Sequence, residues 1–214
     1  MNRRFSTIVL LTAAVTLTTV AQAPSAAQTT LNSLGIALHP TANAFDLALT
    51  YSPERGKIVN TSCKCFWLEG GGADAAFTFY RGLGVAASFT GQHASGLTGG
   101  SNLGKMDYLF GPRYTFHTSG KNEGGKYSTR MFGEALFGGV HTFDGTFPAP
   151  IQAATTANSF AYQIGGGLDL SLARGLGIRI FEASFWHSSL PNNGSDTQDD
   201  LRLGFGVSYH IERR

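Results

Sequence analysis

Along most of the chain, large apolar side chains alternate with small or polar ones at a period of two. In AFDLALTYS, Phe45, Leu47, Leu49 and Tyr51 fall on one side and Asp46, Ala48 and Thr50 on the other. Successive strand residues point to opposite faces of a sheet, so the pattern predicts a strand with one greasy and one small or polar face. The same split recurs where Ala73, Ala75, Phe77 and Phe79 oppose Asp74, Ala76 and Thr78, and where Val85, Ala87 and Phe89 oppose Ala86, Ser88 and Thr90. Met106, Tyr108, Phe110, Tyr114 and Phe116 oppose Asp107 and Arg113. Met131, Ala135, Phe137 and Phe143 oppose Arg130, Glu134 and Thr142, although Phe132 and Leu136 fall on the polar side. Phe160, Tyr162, Ile164, Leu168 and Leu170 oppose Gln163, Gly165, Gly167, Asp169 and Ser171. Leu201, Leu203, Phe205, Val207, Tyr209 and Ile211 oppose Arg202, Gly204, Gly206, Ser208 and His210. In GIRIFEASFWH, Ile178 and Ile180 begin a face that Ala183, Phe185 and His187 continue, which requires one extra residue near Phe181. A β-bulge supplies such a residue.

These segments make eight strands, each able to reach the roughly 9 to 11 residues that a tilted membrane strand needs. Their links alternate in length. Arg81-Gly82-Leu83 and Arg174-Gly175-Leu176 are short turns, whereas GQHASGLTGGSNLGK, DGTFPAPIQAATTA and SLPNNGSDTQDD are long loops. HTSGKNEGGKYS is the exception, a longer link on the short-turn side. Short turns at one rim and long loops at the other are what an up-and-down barrel of the bacterial outer membrane has, with the short turns in the periplasm. The phrase R-G-L-G occurs at both short turns, at Arg81–Gly84 and Arg174–Gly177. Glycine tolerates the positive φ of a tight hairpin, so repeated turn chemistry explains the phrase, with duplication of an ancestral hairpin as the other reading.

The chain is all-β by this reading, an eight-stranded antiparallel up-and-down transmembrane β-barrel over residues 44–214. Residues 28–43 form a lead segment. Residues 1–27 carry the marks of a secretory signal peptide, with Arg3 and Arg4 ahead of an apolar run from Ile8 to Val20 and small residues before a cleavage site after Ala27. Twenty-eight glycines, sixteen phenylalanines and only 14% charged residues are unusual for a soluble enzyme. A net charge of +2, without a basic stripe interleaved with aromatics, argues against nucleic acid as a partner.

Residue size decides which face points inward. An eight-stranded barrel is only just wide enough to be filled by side chains, so small residues and interlocking ions belong inside. The inward charges are then Asp46, Asp74, Asp107, Glu134, Asp169 and Glu182 with Arg113, Arg130, Arg179 and Arg202. Phe45, Leu47, Leu49, Tyr108, Phe110, Tyr114, Phe137, Phe160, Tyr162, Leu203, Phe205, Val207 and Tyr209 face lipid, including lipopolysaccharide. The charged interior reads as an ionic plug or, alternatively, as a narrow path for small solutes or protons.

The stretches YLFGPRYTF, RMFGEALFGGVHT, SFAYQIGGGLDLSLARGLGIRIFEASF and DDLRLGFGVSYHI together resemble the small, single-domain OmpA-like outer-membrane β-barrel family, from about Ala44 to Ile211. The resemblance implies a periplasmic amino terminus and insertion by the outer-membrane barrel assembly machinery, with no specific substrate and no cofactor. The reading of the whole chain is a structural, envelope-integrity role or surface contact through the long loops, with the ligand of the loops left open. Such barrels usually finish on an aromatic residue, whereas this chain passes Tyr209 and Ile211 to Glu212-Arg213-Arg214.

An enzyme reading competes at FWHSSLPNNGSDTQDD. His187 and Ser189 resemble the H-x-S of the outer-membrane lipid A deacylase family, where His activates Ser and an acid orients the His; Asp199 or Asp200 would be that acid. The family's Asn after the Ser is Leu190 here. The other reading places His187 and the serines on a polar outer rim. His39, His93, His117, His141 and His210 show no metal-binding spacing and read as interfacial residues, so no metal is expected. Cys63 and Cys65 are a candidate disulfide pair.

Overall fold

A computed structural model describes residues 36–40, 44–57, 65–96, 102–120, 128–147, 153–173, 175–191 and 196–212. The expected signal peptide, most of the expected lead segment and Cys63 lie outside the described residues. The strands are β1 (Ile36–Pro40), β2 (Ala44–Tyr51), β3 (Glu54–Lys57), β4 (Cys65–Tyr80), β5 (Leu83–Ala94), β6 (Leu103–Gly120), β7 (Ser128–Phe143), β8 (Ala157–Ala173), β9 (Leu176–Ser188) and β10 (Gln198–Glu212).

From β4 to β10 each strand pairs antiparallel with the next, and β2 pairs with both β4 and β10, so the sheet closes on itself. Closure removes every free edge from the wall. β3 continues the stave begun by β2, pairing with the same two neighbours after a break at Ser52 and Pro53. The wall is held through that break, because Ser52 N donates to Gly70 O at 2.9 Å and Pro53 O accepts from Leu203 N at 2.9 Å. The result is an eight-stranded antiparallel β-barrel. β1 lies within the lead segment and pairs with the end of β6, from Ile36 opposite Gly120 to Pro40 opposite Phe116. It extends the wall past Leu83, where β5 begins opposite Tyr114. The long link on the short-turn side is thereby shortened, since β6 runs on to Gly120.

The bulge lies where the face change demands it. Glu182 pairs with Gly204 but Arg179 pairs with Gly206, so Ile180 and Phe181 share one place in the ladder and both stay exposed.

The first glycines of the two R-G-L-G turns have the same setting. Arg81 and Gly82 have φ of 43° and 87°, and Gly175 has φ of 84°. Gly82 O accepts from Thr115 N at 2.7 Å, and Gly175 O accepts from His210 N at 2.7 Å. A Cβ on either glycine would stand 2.5 Å from a carbonyl oxygen of that neighbouring strand, so glycine is required twice over. The likeness runs further than the turns. Gly-Gly-Gly-x-Asp occurs at Gly70–Asp74 on β4 and Gly165–Asp169 on β8, and Phe-Gly-x-x-Tyr at Phe110–Tyr114 on β6 and Phe205–Tyr209 on β10. Both strand motifs recur at the same interval, and R-G-L-G recurs at an interval two residues shorter. In a wall of eight staves the copies stand four staves apart, on opposite sides of the barrel. Repeated turn chemistry alone does not place matching residues on the strands as well, so the pattern favours duplication of a half-barrel.

Large apolar residues cover the outside, with Leu49, Tyr108, Phe110 and Phe160 all more than half exposed. A continuous apolar surface of this kind far exceeds what a water-soluble monomer shows, and it is what a membrane barrel presents to lipid. Inside, Leu109, Leu136, Val140, Trp186 and Leu190 pack with Ala76, Ala86 and Ala161, and the charged groups fill the remainder.

Candidate functional site in the barrel interior

The alternation that turns bulky side chains outward turns ten charged residues inward: Asp46, Asp74, Asp107, Arg113, Arg130, Glu134, Asp169, Arg179, Glu182 and Arg202 are each at most 8% exposed. They gather in two clusters. In the cluster nearer the short turns, Arg179 reaches three carboxylates: its Nε donates to Asp169 Oδ1 at 2.9 Å, and its Nη1 to Asp74 Oδ2 and Glu182 Oε2, each at 2.7 Å. The two aspartates are the matching positions of the Gly-Gly-Gly-x-Asp copies, so opposite walls of the barrel converge on one guanidinium. Arg113 Nε donates to Glu134 Oε2 at 2.7 Å, and Arg130 Nη1 to Asp46 Oδ1 at 3.1 Å. Phe132 lies beneath two of these cations, with Arg113 4.1 Å and Arg179 4.6 Å from its ring centre. Its inward position, an impurity in the alternation, gives the cations an aromatic face to rest on.

The second cluster is built on Arg202. Its Nε donates to Glu54 Oε2 at 2.8 Å, its Nη2 to Asp107 Oδ2 at 2.5 Å and its Nη1 to Gln163 Oε1 at 3.1 Å. Lys105 also pairs with Glu54, and its Nζ stands 3.5 Å from the centre of the Trp186 ring. Asp200 is buried as well. Sequence reasoning missed Glu54, Lys105 and Trp186 and offered Asp200 only as an alternative acid for His187, although each keeps the inward parity of its strand. Continuing the count from Asp46 through Ser52 reaches Glu54, and stepping two residues from Asp107 and Arg202 reaches Lys105 and Asp200.

His210 corrects the reading of the scattered imidazoles as interfacial. It is 6% exposed, and its Nδ1 lies 2.6 Å from Asp46 Oδ1. The polar set on β10 already contained it; being near a strand end does not place a side chain at a membrane surface. Among the described residues, the buried carboxylates number eight and the buried Lys and Arg side chains five. Carboxyl groups therefore outnumber basic side chains in the interior, with or without His210.

On the outer wall, Phe45, Leu47, Leu49, Tyr108, Phe110, Tyr114, Phe137, Phe160, Leu203, Phe205, Val207 and Tyr209 are exposed. Tyr162 is half-buried, between Phe137 and Phe185 and stacked 4.7 Å from the His187 ring. His187 Nδ1 lies 2.6 Å from Asp199 Oδ1, so the structure brings these two residues together at the loop-side rim. Ser189 is exposed, and its backbone N–H is taken up by Ser159 Oγ at 3.0 Å and Phe160 O at 3.2 Å. Leu190, where the deacylase resemblance would want an Asn, is 2% exposed and packs in the apolar cluster with Trp186. Cys65 opens β4, with its Sγ 3.5 Å from Arg55 Nη2; a pairing with Cys63 falls outside the described residues. Among the described residues, no group of three or more His, Cys, Asp or Glu side chains is arranged to hold a metal ion.

No protein-family model and no curated protein sequence matches the chain. Among solved structures, Ail, the attachment invasion locus protein of Yersinia pestis, is similar over 80% of this chain and 100% of its own, at 16% identity and a TM-score of 0.48. Neisserial surface protein A is similar over 78% of this chain and 97% of its own, at 9% identity and a TM-score of 0.49. The outer membrane protein OprG from Pseudomonas aeruginosa is similar over 82% and 99%, at 10% identity and a TM-score of 0.44. By its own closed ladder and apolar outer band the chain is an eight-stranded transmembrane β-barrel, and small barrels of the outer membrane are what it is similar to.

Proposed function

We propose that this protein is an outer-membrane barrel with a structural or surface-contact role, closed along its axis by an ion-paired plug. It meets outer-membrane lipid and lipopolysaccharide with its apolar band, is inserted by the barrel assembly machinery, and offers its long loops to an extracellular ligand. The observation that carries the reading is the pair of networks centred on Arg179 and Arg202, which join residues from opposite walls across the axis. An eight-stranded barrel has little space beyond its own side chains, so bridges of this span leave no wide path for solute. The test is purified protein in planar bilayers: the expected result is no stable single-channel current, and sizeable, long-lived currents would overturn the plug in favour of the pore.

The distance between His187 and Asp199 favours one further reading, lipid A deacylase-like ester hydrolysis with Ser189 as nucleophile. A carboxylate that fixes one ring nitrogen leaves the other as a base. Against this, the Ser189 N–H is already engaged, so it does not serve an oxyanion, and Leu190 is turned into the barrel. Mass spectrometry of lipid A from cells with and without the protein separates the two. Unchanged acyl chains support a non-enzymatic role, and loss of a chain that depends on Ser189 would replace it.

A further inference from the structure

On the outer wall, β4 and β5 differ from the rest of the band. Along β10 the outward positions Leu201, Leu203, Phe205, Val207, Tyr209 and Ile211 are all large. Across β4 and β5 the facing outward pairs are Ala75 with Ala87 and Gly71 with Gly91, with Phe89 opposite Ala73. A groove of about 500 Å³ follows, with Ala73, Ala75 and Ala87 in its floor and Leu47, Phe89 and Phe110 in its walls. Towards the loops the next outward pair is Glu69 with His93, followed on β4 by Trp67. These three residues line a second hollow of about 440 Å³, and Trp67 is 52% exposed. On β4 and β5 the outward residues between the two hollows are Gly71 and Gly91, flanked in the ladder by Tyr51 and Met106. A Cβ on Gly91 would meet nothing within 4 Å, so the passage is open.

We infer that this face binds one glycolipid molecule, with its sugar head against Trp67, Glu69 and His93 and an acyl chain lying down the alanine groove. The inference rests on the membrane-spanning reading above and names a lipid site on that wall. The occupant follows from the order of polarity, because a polar hollow at the rim leading into an apolar groove within the band matches an amphiphile lying along the wall. The head is identified by what lines its hollow. A carboxylate and an imidazole exchange hydrogen bonds with hydroxyls, and an exposed indole face covers the apolar side of a sugar ring. Neither Lys nor Arg lines the hollow, and Glu69 repels a phosphate. Arg55, opposite Trp67 in the ladder, directs its Nη2 to Cys65 Sγ.

The test is native mass spectrometry of the detergent-solubilised barrel, offered monoglucosyl diacylglycerol, phosphatidylcholine and phosphatidic acid with identical acyl chains. The wild type should retain one molecule of the glucosyl lipid about tenfold more strongly than either phospholipid, equivalent to about 1.4 kcal/mol. Gly91→Phe, which closes the passage without a clash in the wall, should abolish that preference, and Glu69→Gln should reduce it. Gly133→Phe is the control. It is an exposed outward glycine on β7 whose Cβ would have only Gly165 O within 4 Å, at 3.8 Å, and it should retain the wild-type preference. Equal retention of the three lipids, a preference for phosphatidic acid, or the same response from Gly91→Phe and Gly133→Phe would overturn the site. Heat-modifiable migration of each variant reads the barrel separately, so a missing lipid preference on an intact barrel counts against the site alone.

Discussion

Arg179 is the residue on which the most buried charge converges. It is 1% exposed and holds Asp74, Asp169 and Glu182 together, so its removal leaves three carboxylates without their shared cation. Breaking a buried ion pair by deleting one partner costs about 3–5 kcal/mol, most of it from the charge left behind. Arg179→Met should therefore lower the urea midpoint of the micelle-embedded barrel markedly, and Arg179→Lys, which keeps the charge but loses the planar fork, should fall between. An unchanged midpoint for Arg179→Met would show that the carboxylates are satisfied by other means. That Arg179 points inward was legible, because parity along β9 and the bulge settle its face. Its partnership with Asp74 was not. Parity assigns a side chain to the inside or outside, but says nothing of its height on the axis or of which wall it faces. Phe132 and Trp186 were illegible for a related reason, since a large inward residue looks like a fault until the cation lying on its ring is known.

At the scale of elements, the alternation located the eight staves and their faces, and link lengths separated the two rims. It failed where side chains are absent or the strand is interrupted. The upper part of β4, from Cys65 to Gly72, was missed because Gly70-Gly71-Gly72 has no side chains to alternate, and β3 because Pro53 interrupts its stave. The bulge on β9 was legible because it repairs a parity error, and the repair yields a test. Deleting Phe181 leaves Glu182 inward, Ile180 outward and Arg179 inward, so the strand becomes regular and no charge changes face. Deleting Ile164 from β8, which pairs with β7 without a shift from Ala157 to Ser171, instead turns one half of that strand over, since a one-residue slip exchanges the two faces. Asp169 is then sent to lipid or Tyr162 to the interior. After refolding, the Phe181 deletion should still migrate as a heat-modifiable barrel, and the Ile164 deletion should not. The opposite outcome would mean that the bulge itself, and not the faces it preserves, is what the fold needs.

For the whole molecule, the proposed plug depends on how residues from the two halves of the wall meet across the axis. Positions that match between the halves have taken complementary roles across the axis: Asp107 of the first bonds Arg202 of the second, and the two matching aspartates, Asp74 and Asp169, share Arg179. In the proposed plug, side chains and not the wall close the barrel, so smaller ones should unblock it. The double substitution Trp186→Gly with Arg202→Ser removes the largest buried ring and the cation that joins Glu54, Asp107 and Gln163. In planar bilayers this variant should pass small currents where the wild type passes none. The currents should favour cations, because the carboxylates inside already outnumber the basic side chains and the substitution removes one more of the latter. Heat-modifiable migration must be retained for the comparison to count. A silent double variant with its barrel intact would place the barrier in the backbone wall or the loops. Anion-selective currents would show that the surplus carboxylates are neutral, and that the interior is not the negatively charged lining that the pairing implies.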